Sequence, residues 1–155
     1  MEVFEVTIEV RDDMDMDYVV ELARAFDKEV KNHVVANANV SFEDSNPLCG
    51  DKFKVNLRVN DAGEIEDIGF SGRGCAISRA SAYLLADMVR GQAVKKVDAI
   101  TRDKLIEELG VEIHSAVRLK CANLALRTVK TGLNQSGYKV GAAEEDSWAE
   151  SGADS

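Results

Sequence analysis

The stretch that most restricts how this chain can fold runs from Phe53 to Ser71. Phe53, Val55, Leu57 and Val59 alternate with Lys54, Asn56 and Arg58, so an extended strand here has one apolar face. Asn60-Asp61-Ala62-Gly63 supplies residues that reverse the backbone. A return strand follows over about 64–71, where Ile65, Ile68 and Phe70 break strict alternation and predict a bulge. An isolated hairpin is at best marginal in water, so its apolar face needs a helical cover.

The flanking sequence supplies helices. Val19, Leu22, Ala23, Phe26, Val30 and Val34 recur at helical spacing, with Asp15 or Asp17 able to cap the first turn. After Gly72 and Gly74, a second helix is predicted to start at Cys75 or Ala76. Its apolar face is Ile77, Ala80, Leu84, Leu85, Met88 and Val89, and Gly91 is its left-handed terminator. A short helix over about 102–109 has Thr101 as N-cap and Gly110 past its end. The last spans about 120–131, with Ala122, Ala125, Leu126 and Val129 on one face and Gly132 as terminator.

Outside these elements, Phe4, Val6, Ile8 and Val10 alternate with charged and polar residues, predicting an extra strand over about 3–10. Residues 36–48 read as an extended loop that contains Pro47, the only proline. The expected organisation is a single domain, 1–133, followed by an acidic, disordered tail, 134–155. No internal repeat is visible.

Composition limits the function. The 155 residues, 45% apolar and 30% charged, suit one soluble globular domain with a real core. A net charge of −9 argues against a nucleic-acid or anionic-membrane binder, since either needs a basic face. No stretch approaches the roughly 18 apolar residues of a membrane span. Met1-Glu2-Val3-Phe4-Glu5 lacks the basic start of a secretory signal, so the expected compartment is the reducing cytoplasm.

There, cysteines more often bind metal or carry chemistry than form staples. This chain has three: Cys49, Cys75 and Cys121. The helix assignments place Cys75 and Cys121 at helix N-termini, where unpaired N–H groups and the dipole favour thiolate. Gly50 lets the chain bend so that Asp51 faces the same point as Cys49. Three thiolates and a carboxylate suit tetrahedral Zn²⁺, and thiolates also suit an iron–sulfur cluster. The bland alternative is three reduced cysteines acting as small hydrophobes. The spacings match no zinc ribbon and no ferredoxin run.

Three motif words carry a family resemblance. Asn46-Pro47-x-Cys49-Gly50-Asp51, Gly72-x-Gly74-Cys75-x-Ile77-Ser78-x-Ala80-Ser81 and Arg118-x-Lys120-Cys121-Ala122-x-Leu124-Ala125 resemble, in order and wording, those of IscU/SufU-type (NifU N-terminal-like) iron–sulfur cluster assembly proteins. The resemblance covers about 46–133. It implies an α+β fold, a small antiparallel sheet packed against several helices. It also implies Cys49, Asp51, Cys75 and Cys121 as ligands of a [2Fe–2S] cluster or iron, with Zn²⁺ as the alternative occupant.

A histidine precedes the third cysteine in IscU-type members; here the residue is Lys120, and it and Arg118 match the SufU pattern. SufU-type proteins typically bind zinc and take persulfide sulfur from a cysteine desulfurase, whereas IscU-type proteins build a [2Fe–2S] cluster. The 46-residue step from Cys75 to Cys121 is too short for the usual SufU insertion.

The expectation is a non-enzymatic scaffold, or sulfur carrier, that accepts sulfur from a cysteine desulfurase at Cys49 or Cys121. Lys120 and Arg118 are its support, and apo iron–sulfur proteins or carriers are the recipients. The rivals are a zinc-dependent sulfur relay that stimulates the desulfurase, and a non-catalytic module with structural zinc.

Other residues carry less. His114 reads as a surface histidine, and His33 as one favoured by a helix C-terminus. Ser78 and Ser81 read as a polar helix start and a small packing residue. Trp148 and Glu144-Glu145-Asp146 read as tail. No Gly-x-Ser-x-Gly elbow, Cys-x-x-Cys pair or Gly-rich phosphate loop is present.

Overall fold

Asp51, Phe53, Val55, Leu57 and Val59 are all buried on one face of β2 (Asp51–Val59), and the rest of the molecule is arranged to cover that face. The computed structural model describes residues 16–48 and 50–141. The strand expected over 3–10 lies outside them.

β2 is the centre of a three-stranded antiparallel sheet, order β1-β2-β3, with β1 (Val40–Asn46) and β3 (Ile65–Arg73) at its sides. The bulge forms where predicted: Arg58 pairs with Asp67 but Val59 pairs with Ile65, leaving Glu66 as the extra residue.

β1 corrects the expected loop over 36–48. Its inward positions are Val40, Phe42, Asp44 and Asn46, so only half of the buried face is apolar. The polar half is held from α5 (Ala116–Gln135): Arg127 Nε donates to Asp44 Oδ2 at 2.7 Å and Arg127 Nη2 to the Ser45 carbonyl at 3.0 Å.

The helices form a layer over one sheet face. α2 (Ala76–Val89) and α5 pack on each other, and α5 covers β1 and β2. α4 (Arg102–Leu109) has Thr101 as N-cap and Gly110 at φ 76°, as expected. The five-residue α3 (Val94–Asp98) has no counterpart in the sequence reading, being too short for a periodic signal.

α1 is helical over 16–25 and closes in a π turn, Phe26–Val30. It ends earlier than predicted. Asn32 adopts φ 61° and its N–H donates to the Phe70 carbonyl at 2.6 Å. The chain therefore turns across β3, leaving Val34 83% exposed and burying Val35 instead. His33 lies beyond the helix and its Nε2 is 2.7 Å from Asp67 Oδ2. The Phe26, Phe53 and Phe70 rings meet at centroid distances of 5.6–6.1 Å, fixing α1 to the sheet.

α5 is longer than predicted at both ends. Ser115 caps it by accepting from the Arg118 N–H, several residues before the expected start. Gly132 does not terminate it. A Cβ there would sit 3.0 Å from the Phe42 Cβ, so this glycine lets the helix approach β1 closely. Beyond the helix, Val140 joins the core, so ordered packing extends past the expected boundary at residue 133. The α+β architecture is as expected. No helix among the described residues is long and apolar enough to cross a membrane.

Candidate metal centre

Asn46 and Asp51 face each other in register at the end of the β1–β2 ladder, which closes a loop over 47–50. The loop is tied from inside. Asn46 Oδ1 accepts from the Leu48 N–H at 3.1 Å, its carbonyl accepts from the Gly50 N–H at 2.9 Å, and Gly50 takes φ 77°. Glycine adopts that left-handed conformation at no steric cost. Cys49, between them, lies outside the described residues.

Asp51 is 5% exposed, on the face shared with Phe53. A buried carboxylate needs donors. Its Oδ1 accepts from the Cys75 N–H at 3.2 Å and its Oδ2 from the Ser78 hydroxyl. Both donors belong to the first turn of α2, so the carboxylate caps that helix and neutralises part of its positive end.

Cys75 is the N-cap itself. Its backbone is extended (φ −68°, ψ 175°) and its Sγ accepts from the Ser78 N–H at 3.5 Å. The Cys121 side chain hydrogen-bonded to it lowers the Cys75 thiol most. Burial opposes that shift, the Ser78 hydroxyl and N–H lower the thiol further, and the Asp51 charge raises it. The result is a pKa of about 6, well below the ordinary 9.0. Cys75 is exposed to solvent and is predominantly thiolate at neutral pH.

Cys121 corrects one expectation. It lies in the second turn of α5, not at the helix N-terminus, because Ser115 starts the helix earlier. It is 2% exposed, with Asn46 Nδ2 3.9 Å from its Sγ. The Ser78 hydroxyl is 3.2 Å from the Cys121 carbonyl.

One carboxylate oxygen of Asp51 and the sulfurs of Cys75 and Cys121 lie within 4.8 Å of one another. Two soft sulfurs and one oxygen at this separation fit a single tetrahedral ion such as Zn²⁺ or iron, with one position left for a fourth donor. Of the sequence-predicted residues, the fold thus gathers Asp51, Cys75 and Cys121.

Arg118 is exposed and Lys120 half-buried, and among the described residues neither side chain is hydrogen-bonded to a site sulfur. His114 is exposed beside Glu112, at 3.5 Å, as expected of a surface histidine. Asn46 stands in the first motif without an expected role of its own, and Ser78, expected only as a polar helix start, also holds Asp51. The one available signal was Ser78, three positions after Cys75, the spacing at which an N-cap meets its partner.

A family model described as the NifU-like N-terminal domain matches residues 22–143. The chain belongs to this family. Among relatives of known role, it is 32% identical over 126 residues to the iron–sulfur cluster assembly scaffold protein IscU of Buchnera aphidicola subsp. Schizaphis graminum, covering 74% of this chain and 94% of that one. It is 31% identical over 120 residues to the protein of that name from Escherichia coli K12, covering 70% and 91%.

Among solved structures, a putative iron–sulfur cluster assembly scaffold protein for the SUF system from Fervidobacterium islandicum AW-1 has a TM-score of 0.56 at 26% identity. It covers 75% of this chain and 93% of its own. A NifU-like N-terminal protein from Brucella abortus, at 18% identity and a TM-score of 0.61, shares the NifU-like N-terminal fold over 77% of this chain and 91% of its own.

Proposed function

We propose that this NifU-like N-terminal domain is an iron–sulfur cluster assembly scaffold. It accepts sulfur from a cysteine desulfurase and holds iron or a nascent [2Fe–2S] cluster as cargo for transfer to apo-proteins. The observation that carries this reading is the convergence of Asp51, Cys75 and Cys121 within 4.8 Å in a chain related to IscU scaffolds. In the proposal Cys49 supplies the fourth donor, since Leu48 and Gly50, on either side of it, are hydrogen-bonded at the same sheet end.

The sulfur step is a thiol exchange. A scaffold thiolate attacks the outer sulfur of the desulfurase persulfide, a new S–S bond forms on the scaffold, and the desulfurase cysteine leaves as thiolate. Of the two acceptors expected from sequence, the burial of Cys121 favours Cys49. The NifU-like domain itself catalyses no turnover here; it positions thiolates and yields its cargo.

A second reading is favoured by Lys120, which stands where IscU-type members have histidine, and by the SUF-system structural relative. On it the ion is Zn²⁺ and the protein relays sulfur without building a cluster. Anaerobic reconstitution with iron, cysteine, a desulfurase and a thiol reductant that brings the persulfide sulfur to sulfide separates the two. The scaffold reading expects a broad visible absorption band and its transfer to an apo-ferredoxin, with both lost on Cys→Ser at Cys49, Cys75 or Cys121. Desulfurase stimulation by zinc-loaded protein that never develops this band supports the relay. Full transfer activity in all three single variants would sink both readings.

A further inference from the structure

The turn that follows α1 builds a hollow at the end of α2 away from the metal centre. Asn32 carries the backbone across β3, and a Cβ on Gly69 would fall 2.5 Å from the His33 carbonyl oxygen. Gly69 therefore lets the crossing segment lie directly on the strand. Between that segment, β3 and the last turns of α2 lies a cavity of about 250 Å³, with buried Val30 as its apolar wall. Small-molecule and cofactor sites usually run to about 300–1,000 Å³, so this one suits a single side chain. At about 1.5 Å per residue, the helix sets Asp87 in its wall roughly 18 Å along from Cys75.

The charges that line the cavity are unequally used. Asp67 is committed. Its Oδ2 lies 2.7 Å from His33 Nε2, and its Oδ1 accepts from the Ile68 N–H at 2.9 Å and stands 3.7 Å from Arg90 Nε. Glu29 and Asp87 line the same cavity, and neither carboxylate has a hydrogen bond or ion pair among the described residues. Tyr83 sits one helical turn before Asp87 on the same face of α2, and its hydroxyl is equally uncommitted among the described residues. Burial, and then the charges of Glu29 and Asp87, raise this phenol above its ordinary 10.0, so both carboxylates are within electrostatic reach of it.

Two unused carboxylates and an aromatic ring attract a cation. Among the described residues, the His, Cys, Asp and Glu side chains that gather within 4.8 Å as a possible ion site are Asp51, Cys75 and Cys121 alone. The cavity's own donors are therefore spread too widely to share one metal ion. A guanidinium fits the spread. It is planar, points five donors outward, is more weakly hydrated than an ammonium and stacks on aromatic faces. The net charge of −9 adds long-range attraction for a basic partner.

We propose that this cavity is a socket for an arginine side chain of a basic partner protein. The guanidinium stacks on the Tyr83 ring and bridges Glu29 of α1 to Asp87 of α2, while its aliphatic stem rests on Val30. His33 and Arg90 occupy Asp67, which fixes the crossing segment and leaves the other two carboxylates to the ligand. Because the socket is remote from the metal centre, it is filled with or without cargo.

The probe is N-acetyl-arginine amide, titrated into the isotope-labelled full chain and followed by amide chemical shifts. Saturable shifts are expected at 29–33, 67 and 83–90, with a dissociation constant in the millimolar range. N-acetyl-citrulline amide has nearly the same shape without the charge and should produce none. The variant E29Q/D87N should weaken binding about fivefold or more while far-UV circular dichroism stays native, since both side chains are exposed. Added salt should weaken it in the same direction.

Absent shifts, equal shifts from the citrulline probe, or unchanged affinity in E29Q/D87N with the fold intact would overturn the proposal. Free L-arginine binding more tightly than the blocked probe would assign the socket to a small molecule, and would equally overturn the docking of a partner's side chain.

Discussion

The Asp51 carboxylate accepts a hydrogen bond from the Cys75 backbone N–H at 3.2 Å, so one ligand candidate holds the helix start that presents another. The second oxygen of Asp51 takes the Ser78 hydroxyl. A metal ion drawing on this carboxylate therefore competes with the helix cap. That competition is a physical reason for the site to bind its cargo and still release it.

Asp51→Ala removes both acceptor contacts and leaves buried donors at the start of α2. The expected cost is about 1–3 kcal/mol, read as a lower urea midpoint in metal-free protein. In reconstituted protein the same change should slow release of the cluster while assembly persists. Transfer kinetics to an apo-ferredoxin check this, and an unchanged release rate would contradict the role given to the carboxylate.

Cys75 should alkylate as a thiolate in metal-free protein. Its pKa of about 6 lies below the ordinary 9.0, so thiolate predominates above about pH 6 and is lost as pH falls through that value. By linkage, the stability gained from holding this thiolate is fully present above the ordinary value and disappears as pH drops through about 6. Peptide-resolved iodoacetamide labelling against pH should give a midpoint near 6 for Cys75. The hydrogen bond from Cys121 is the largest cause, so Cys121→Ala should move that midpoint upward. A midpoint that stays in place would rule out this cause.

Much of this architecture was legible in the sequence because its signals are local. The β2–β3 hairpin, the start of α2 at Cys75 and the limits of α4 at Thr101 and Gly110 each rest on alternation, a cap or a left-handed glycine within a few residues. β1 was not legible, since Asp44 and Asn46 are inward positions whose partners, Arg127 and Cys121, lie far along the chain. The early start of α5 was missed because Ser115 precedes the apolar run that marked the helix. The same division holds at the metal centre. Motif wording pointed to Asp51, Cys75 and Cys121, but the roles of Asn46 and Ser78 depend on strand register and on the packing of α2 beside α5.

Gly72 is a strict requirement of the route from sheet to site. It has φ 115°, and a Cβ there would fall 2.1 Å from the Lys52 carbonyl oxygen. That contact is with backbone in the paired strand, so no side chain can yield. Gly72→Ala should lose about 2 kcal/mol or more through strain and disruption of the ladder end. The loss should appear as a lowered thermal midpoint. Because Cys75 follows three residues later, zinc affinity should fall as well. A stable variant with normal zinc affinity would show that the β3–α2 junction can be rebuilt without this glycine.

Arg127 connects the fold to the centre from the opposite side. Its guanidinium binds Asp44 Oδ2 and the Ser45 carbonyl, immediately before Asn46 and the loop over 47–50. Both side chains are partly exposed, so Arg127→Ala should cost only about 1 kcal/mol of global stability. Its local effect should be larger. With the end of β1 released from α5, Asn46 loses its fixed position beside Cys121, and the loop holding Cys49 loses one of its anchors. Hydrogen exchange should therefore speed up several-fold at 45–51 while amides in the middle of β2 and β3 keep their protection. Uniform acceleration across the sheet would mean that Arg127 supports the whole fold. Unchanged exchange at 45–51 would mean that the β1 end is held without it.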